Sequence, residues 1–193
     1  GFDLVIAVGF LQVTPLQKVA KEFPDTKFAI IDGVVDLPNV ASLVFKEHEG
    51  SYLVGAIAGL TTKTNKVGFV GGMDIPLIHK FEVGYVEGVK KVNPNCEVII
   101  NYAGSDPQAF SDPVRGKNIA LTQISKGADI VYHAAGSTGN GVIEAAKEKG
   151  LLAIGVDSNQ NWMAPGNVLT SMLKRVDVSV YNTVKSVVKK QYK

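Results

Sequence analysis

Two aspartates stand where apolar runs stop: Asp32 closes FAIID and Asp157 closes AIGVD. A carboxylate at such a place is costly unless it caps a turn or meets a ligand. Ionised, it only accepts hydrogen bonds, which suits sugar hydroxyls or the N–H edge of a base. Loop capping is the plain alternative for both. His133 lies near the end of DIVYHAAG. A lone histidine is commonly a packed, hydrogen-bonded residue, yet a strand end also puts it within reach of a ligand. The run GSTGNG places Gly136, Gly139 and Gly141 between an apolar run and a helical pattern. Glycines there let a ligand approach the backbone, and the following helix offers unsatisfied N–H groups to its oxygens. Their spacing reverses that of the dinucleotide fingerprint, and no Gly-Lys-Ser/Thr follows, so neither a nicotinamide site nor a P-loop is expected. Lys174 and Arg175 precede the last helical pattern, set either to meet a ligand oxygen or carboxylate or to stand on the surface.

No catalytic set accompanies these groups. The chain has no Gly-x-Ser-x-Gly elbow, and Cys96, its single cysteine, has no histidine in a plausible context. His48, His79 and His133 lack the spacing of metal ligands. The expectation is a non-enzymatic protein with no metal and no cofactor.

Such groups need elements to hold them. The apolar segments at residues 3–9, 28–32, 129–136 and 153–157 are rich in β-branched and aliphatic residues and end on glycine or aspartate. That is the profile of buried parallel strands whose carboxyl ends face a ligand crevice. Thr14 as N-cap with Pro15 at the first helical position predicts a helix over residues 14–23. Strands follow at 27–32 and 39–45, and EGSYLVGAIAGLT reads as a closely packed helix over 49–61. A second series comprises strands at 66–71, 96–102, 128–133 and 151–156, with helices at 77–92, 112–126 and 138–149. Asp112-Pro113 opens one of those helices and Gly127 closes it. An extended piece at 167–172 and a last helix at 176–192 complete the chain.

The alternation calls for an α/β fold with parallel sheets and right-handed crossovers. It divides into two lobes: residues 1–47 plus 171–193 as part of one, and 48–170 as the other. The crossings fall near residues 46–50 and at Thr170-Ser171. Three strands and one helix cannot cover both faces of a parallel sheet, so the chain reads as truncated at both ends. Its 193 residues are 46% hydrophobic, enough for real cores. Charged residues make up 20%, with a net charge of +2 and no basic tract, so nucleic acid is not an expected partner. No run approaches the ~18 apolar residues that span a bilayer.

The blocks DLVIAVGFLQ, FAIIDGVVDLPNVASLVFKEHEGSYLVGAIAGL, KVGFVGGMDIPLI, FEVGYVEGVK, HAAGSTGNGV, IGVDSNQ and APGNVLTSMLKRVD resemble the basic membrane protein family. Its members are PnrA-like purine nucleoside-binding lipoproteins, the solute receptors of bacterial ABC transporters. The resemblance covers nearly the whole chain. It implies the type I periplasmic-binding-protein fold, two parallel-sheet lobes with a ligand cleft between them. It also implies a purine nucleoside as ligand, an ABC transporter permease as partner, and an extracytoplasmic lipoprotein on the bacterial cell membrane. The anchor would lie outside this chain. Carried over by motif, Asp32 faces the purine edge and Asp157 the ribose hydroxyls. Gly136 and Gly139 admit the ribose to the backbone, and Lys174 adds a sugar contact. His133 takes the place of a ring stacked on the base, while Met73 and Asp74 could line the cleft. The alternative expectation is a ligand-sensing regulatory domain of the same fold.

Overall fold

Near-continuous apolar runs that bury both faces need helices on both faces, and the chain supplies them by alternating strand and helix. A computed structural model describes residues 1–192. It divides into two units, one formed by Gly1–Phe45 with the segment from Arg175 onward, the other by Lys46–Lys174.

In the first unit, β1 (Leu4–Val8), β2 (Lys27–Ile31) and β3 (Val40–Leu43) form a parallel sheet in that order. The helix α1 (Val13–Glu22) packs Leu16 and Ala20 against Phe28, Ile30, Val35 and Val40. Its start differs from the expected cap at Thr14. The chain turns at Gly9, enters a 3-10 turn over Phe10–Gln12, and continues directly into α1, whose N-cap is Gln12. Thr14 and Pro15 therefore sit inside the first turn. Pro15 costs little there, because N–H groups of a first turn have no intrahelical acceptor. At the other end of α1, the Asn39 amide donates to the carbonyls of Ala20, Phe23 and Thr26. The last helix, α6 (Val176–Val188), leads to Tyr192. The Tyr192 hydroxyl accepts from Ala41 N–H at 2.8 Å and donates to the Phe28 carbonyl, pinning the tail to β2 and β3.

The second unit holds β4 (Lys66–Met73), β5 (Glu97–Gly104), β6 (Ile130–Ala134), β7 (Leu152–Asp157) and β8 (Val168–Leu173), all parallel, in the order β5-β4-β6-β7-β8. Residues Thr170 and Ser171, expected in a crossing, instead pair with Ile154 and Gly155 inside β8. The helices α2 (Glu47–Thr61) and α3 (Pro76–Val92) cover one face, where Phe69, Phe81, Tyr85, Tyr132 and Ile154 share a core. On the opposite face, α4 (Pro113–Ser125) and α5 (Thr138–Glu148) pack Ala120, Val142 and Ala145 on Val70 and Val131. The α2 run is helical as expected. It approaches α3 so closely that a side chain at Gly55 or Gly88 would overlap the partner helix backbone. Among the described residues, no helix is long and apolar enough to cross a membrane.

Candidate functional site

In a parallel sheet every carboxyl end lies along one edge, so strand-end residues of each unit share that edge. Asp32 follows β2 directly at φ 62°, and its N–H donates to the Leu43 carbonyl at 3.1 Å. Asp157 ends β7 at φ 64°. Positive φ is uncommon outside glycine, tolerated best by Asn and Asp, and concentrated where function over-determines the backbone. The two units thus repeat one device, a left-handed aspartate at the end of an apolar strand. Asp32 is half-buried and Asp157 exposed.

The turn at Asp157 is tight. Ser158 N–H donates to the Val156 carbonyl at 2.7 Å, while the Asp157 carbonyl accepts from Lys174 N–H at 2.9 Å. The Lys174 side chain is only 5% exposed, and its ammonium lies 3.7 Å from a Glu47 carboxylate oxygen and 5.6 Å from the Phe81 ring centroid. Glu47, at the first position of α2, also meets Lys80 at 3.5 Å. The helix amino terminus favours that carboxylate.

Gly136 is exposed at φ 55° in the turn after β6, close to the Phe110 carbonyl, which accepts from Ser137 Oγ at 3.0 Å. The half-buried ring of Phe110 lies on Gly72 of β4, where a side chain would overlap it. Phe110 therefore stands as an aromatic ring at the carboxyl edge. Nothing local in SDPQAFSDP marks it, because its place is set by Gly72 and Gly136, both far away in sequence.

Gly139 and His133 turn inward. The His133 ring is wholly buried on the face covered by α5, and Gly139 in the first turn of that helix leaves room for it. Its Nε2 lies 3.0 Å from Gln160 Oε1, which also accepts from Val156 N–H at 2.8 Å. An oxygen already receiving an amide proton must receive a proton from the imidazole too, so Nε2 carries the hydrogen and Nδ1 is bare. Burial pushes the His133 pKa down to about 4, against a smaller opposing effect of the Gln160 bond. The ring is neutral at ordinary pH and, in this arrangement, enclosed rather than set out as a stacking face.

Asp74 beside Met73 bonds His79 at 2.7 Å, and Tyr102 donates to Glu82 next to it. His79 is half-exposed within this cluster. In the second unit, Gly136, Asp157 and Lys174 come to the carboxyl edge with Phe110, Gln160 and Glu47, three residues that sequence reading missed. Asp32 holds the corresponding edge of the first unit.

Two parallel α/β units of these strand orders are those of solute-binding proteins with the periplasmic-binding-protein fold. A crystal structure of an ABC transporter solute-binding protein from Aeropyrum pernix K1 superposes with a TM-score of 0.89 at 38% identity, over 99% of this chain and 56% of that one. The family model described as "ABC transporter substrate-binding protein PnrA-like" matches residues 1–193, and the chain belongs to this family. The "CD4+ T-cell-stimulating antigen" of Listeria monocytogenes is 43% identical over 196 residues, 93% of this chain and 54% of its own length. The "ABC transporter nucleoside-binding protein BmpA" of Lactococcus lactis is 40% identical over 172 residues, 84% of this chain and 48% of its own length. The chain spans about half the length of these curated relatives.

Proposed function

We propose that this chain is part of an extracytoplasmic receptor that captures a purine nucleoside and delivers it to an ABC-type permease, without chemical turnover. The observation that carries the reading is the repeated strand-end aspartate, Asp32 and Asp157, each at positive φ. An ionised carboxylate in such a place accepts hydrogen bonds from the N–H edge of a base or from ribose hydroxyls, the polar groups a nucleoside offers. Phe110 supplies a ring for the base, exposed Gly136 admits the sugar to the backbone, and the Lys174 backbone N–H holds the Asp157 carbonyl. The likeness to a nucleoside-binding relative supports the ligand class, and relatives named as lipoproteins support a membrane-anchored location outside the cytoplasm.

Calorimetric titration of the full-length protein with adenosine, guanosine, inosine, cytidine and ribose tests this. Purine nucleosides should bind, cytidine more weakly and ribose weakest, with Asp157→Asn losing affinity for all ligands that carry ribose. Equal binding of purine and pyrimidine nucleosides, or recovery of a cleaved ligand after incubation, would overturn the reading.

A further inference from the structure

The β6–β7 ladder stops early. It pairs Ile130 with Leu152, Val131 with Ala153 and Tyr132 with Ile154, and no further. Beyond it, the N–H of Val156 finds its acceptor in Gln160 Oε1, at 2.8 Å. The Gln160 side chain lies over Gly155, where a methyl group would stand 2.9 Å from its Cβ. Its backbone N–H is fixed by Ser171 Oγ at 3.1 Å, and that hydroxyl donates to Asn161 at 2.9 Å. His133 completes the arrangement from the other strand by donating Nε2–H to the same Gln160 oxygen at 3.0 Å. Both lone pairs of that oxygen are then used.

This cluster encloses the residue immediately before Asp157. Val156 is held through its N–H by Gln160 and through its carbonyl by Ser158 N–H at 2.7 Å. A bond from residue i+2 back to residue i across a central residue at positive φ is the pattern of the strained γ-turn, which persists only where neighbours hold it. The imidazole is an expensive choice for an interior position, since its Nδ1 is buried without a partner. A leucine or phenylalanine there would fill space with no orphaned nitrogen. What the histidine alone adds is a proton donor aimed at Gln160, and Gly139 is the residue that makes room for it.

We infer that His133 and Gln160 are positioning residues that hold the strained Asp157 turn, and with it the carboxylate, in its ligand-binding geometry. The inference rests on the reading of Asp157 as a ribose contact. His133 acts through Gln160 rather than by touching the ligand. Burial holds its pKa down to about 4, so at physiological pH it donates through Nε2–H without bringing a charge into the interior.

The test uses the full-length protein with His133→Phe, His133→Gln, Gln160→Leu and Asp157→Asn. Glutamine at position 133 keeps an N–H at the reach of Nε2, whereas phenylalanine removes it. Without ligand, amide exchange at Val156 and Ser158 should quicken about tenfold in His133→Phe and Gln160→Leu, with β4 and α4 unchanged and His133→Gln like the wild type. With ligand, the preference for inosine over 2′,3′-dideoxyinosine should fall about tenfold in the same two variants. Unchanged exchange at Val156 and Ser158, or faster exchange spread evenly over the unit with the preference intact, overturns the inference. If exchange quickens locally while Asp157→Asn leaves the preference unchanged, the positioning role stands and the ribose contact falls. If the wild type binds no inosine, the exchange measurement decides alone.

Discussion

Lowering the pH should destabilise the second unit through His133 in a window set by its burial. An ordinary histidine titrates near 6.5, whereas this one is held down to about 4. Between those values the unfolded chain binds a proton that the folded chain refuses, so stability falls as pH falls from about 6.5 to about 4 and is flat on either side. At pH 4.5 the loss from this group comes to about 2.5 kcal/mol relative to pH 7.5, since each tenfold rise in proton concentration inside that window costs about 1.4 kcal/mol. Carboxylates add their own acid sensitivity, so the measurement is a difference of differences. Urea unfolding of the wild type and of His133→Gln, followed by far-UV circular dichroism at both pH values, isolates the imidazole. The wild type should lose about 2.5 kcal/mol more than the glutamine variant, which cannot titrate. Parallel stability curves for the two proteins would refute the buried neutral imidazole.

Replacing Gly139 with Ala drives a methyl group into the His133 ring, and should cost about 2 kcal/mol in the wild type but much less in His133→Ala. Equal costs in the two backgrounds, read by thermal unfolding, would remove the steric explanation. Glu47→Ala breaks a pair whose side chains are 1% and 5% exposed, and should cost about 3 kcal/mol with little sensitivity to salt. A loss under about 1 kcal/mol, the level of an exposed pair, would mean the carboxylate is solvated. Phe110→Ala should weaken binding of purine nucleosides about tenfold and leave ribose unaffected, as expected for a lost stacking surface. Isothermal titration with both ligands decides it, and an equal effect on ribose would argue against stacking.

The plainest strands in the sequence were β2 and β7, where unbroken apolar runs end abruptly on Asp32 or Asp157, and β1 and β5 were legible too although much of each is part-exposed. Asp112 at the start of α4 could also be read, because its cap is local: its carboxylate accepts from Arg115 N–H at 2.9 Å. What failed was set from a distance. The half-polar VLTSML reads as an extended piece but with Thr170-Ser171 in a crossing, and only its pairing with β7 makes it β8 at the sheet edge. Thr14 lost its capping role to a turn that begins at Gly9. The direction of His133 could not be read at all. In a strand covered on both sides, Tyr132 and His133 point to opposite faces and both are buried, so alternation leaves no trace. Its partner Gln160 is 27 residues away in a run of small polar residues.

The ion pair of Glu47 with Lys174 joins the first turn of the second unit to its final residue. That unit is thus one uninterrupted stretch of chain whose two ends are clipped together, the arrangement of a domain inserted into another. Its folding order follows from loop closure. β3 and α6 belong to one unit but are separated by the whole of the other, and bringing distant segments together costs chain entropy that grows with the intervening length. Once the inserted stretch has folded and the clip has formed, that long loop has become a short one. The stretch from Lys46 to Lys174 should accordingly mature first during synthesis, and the first unit waits for it.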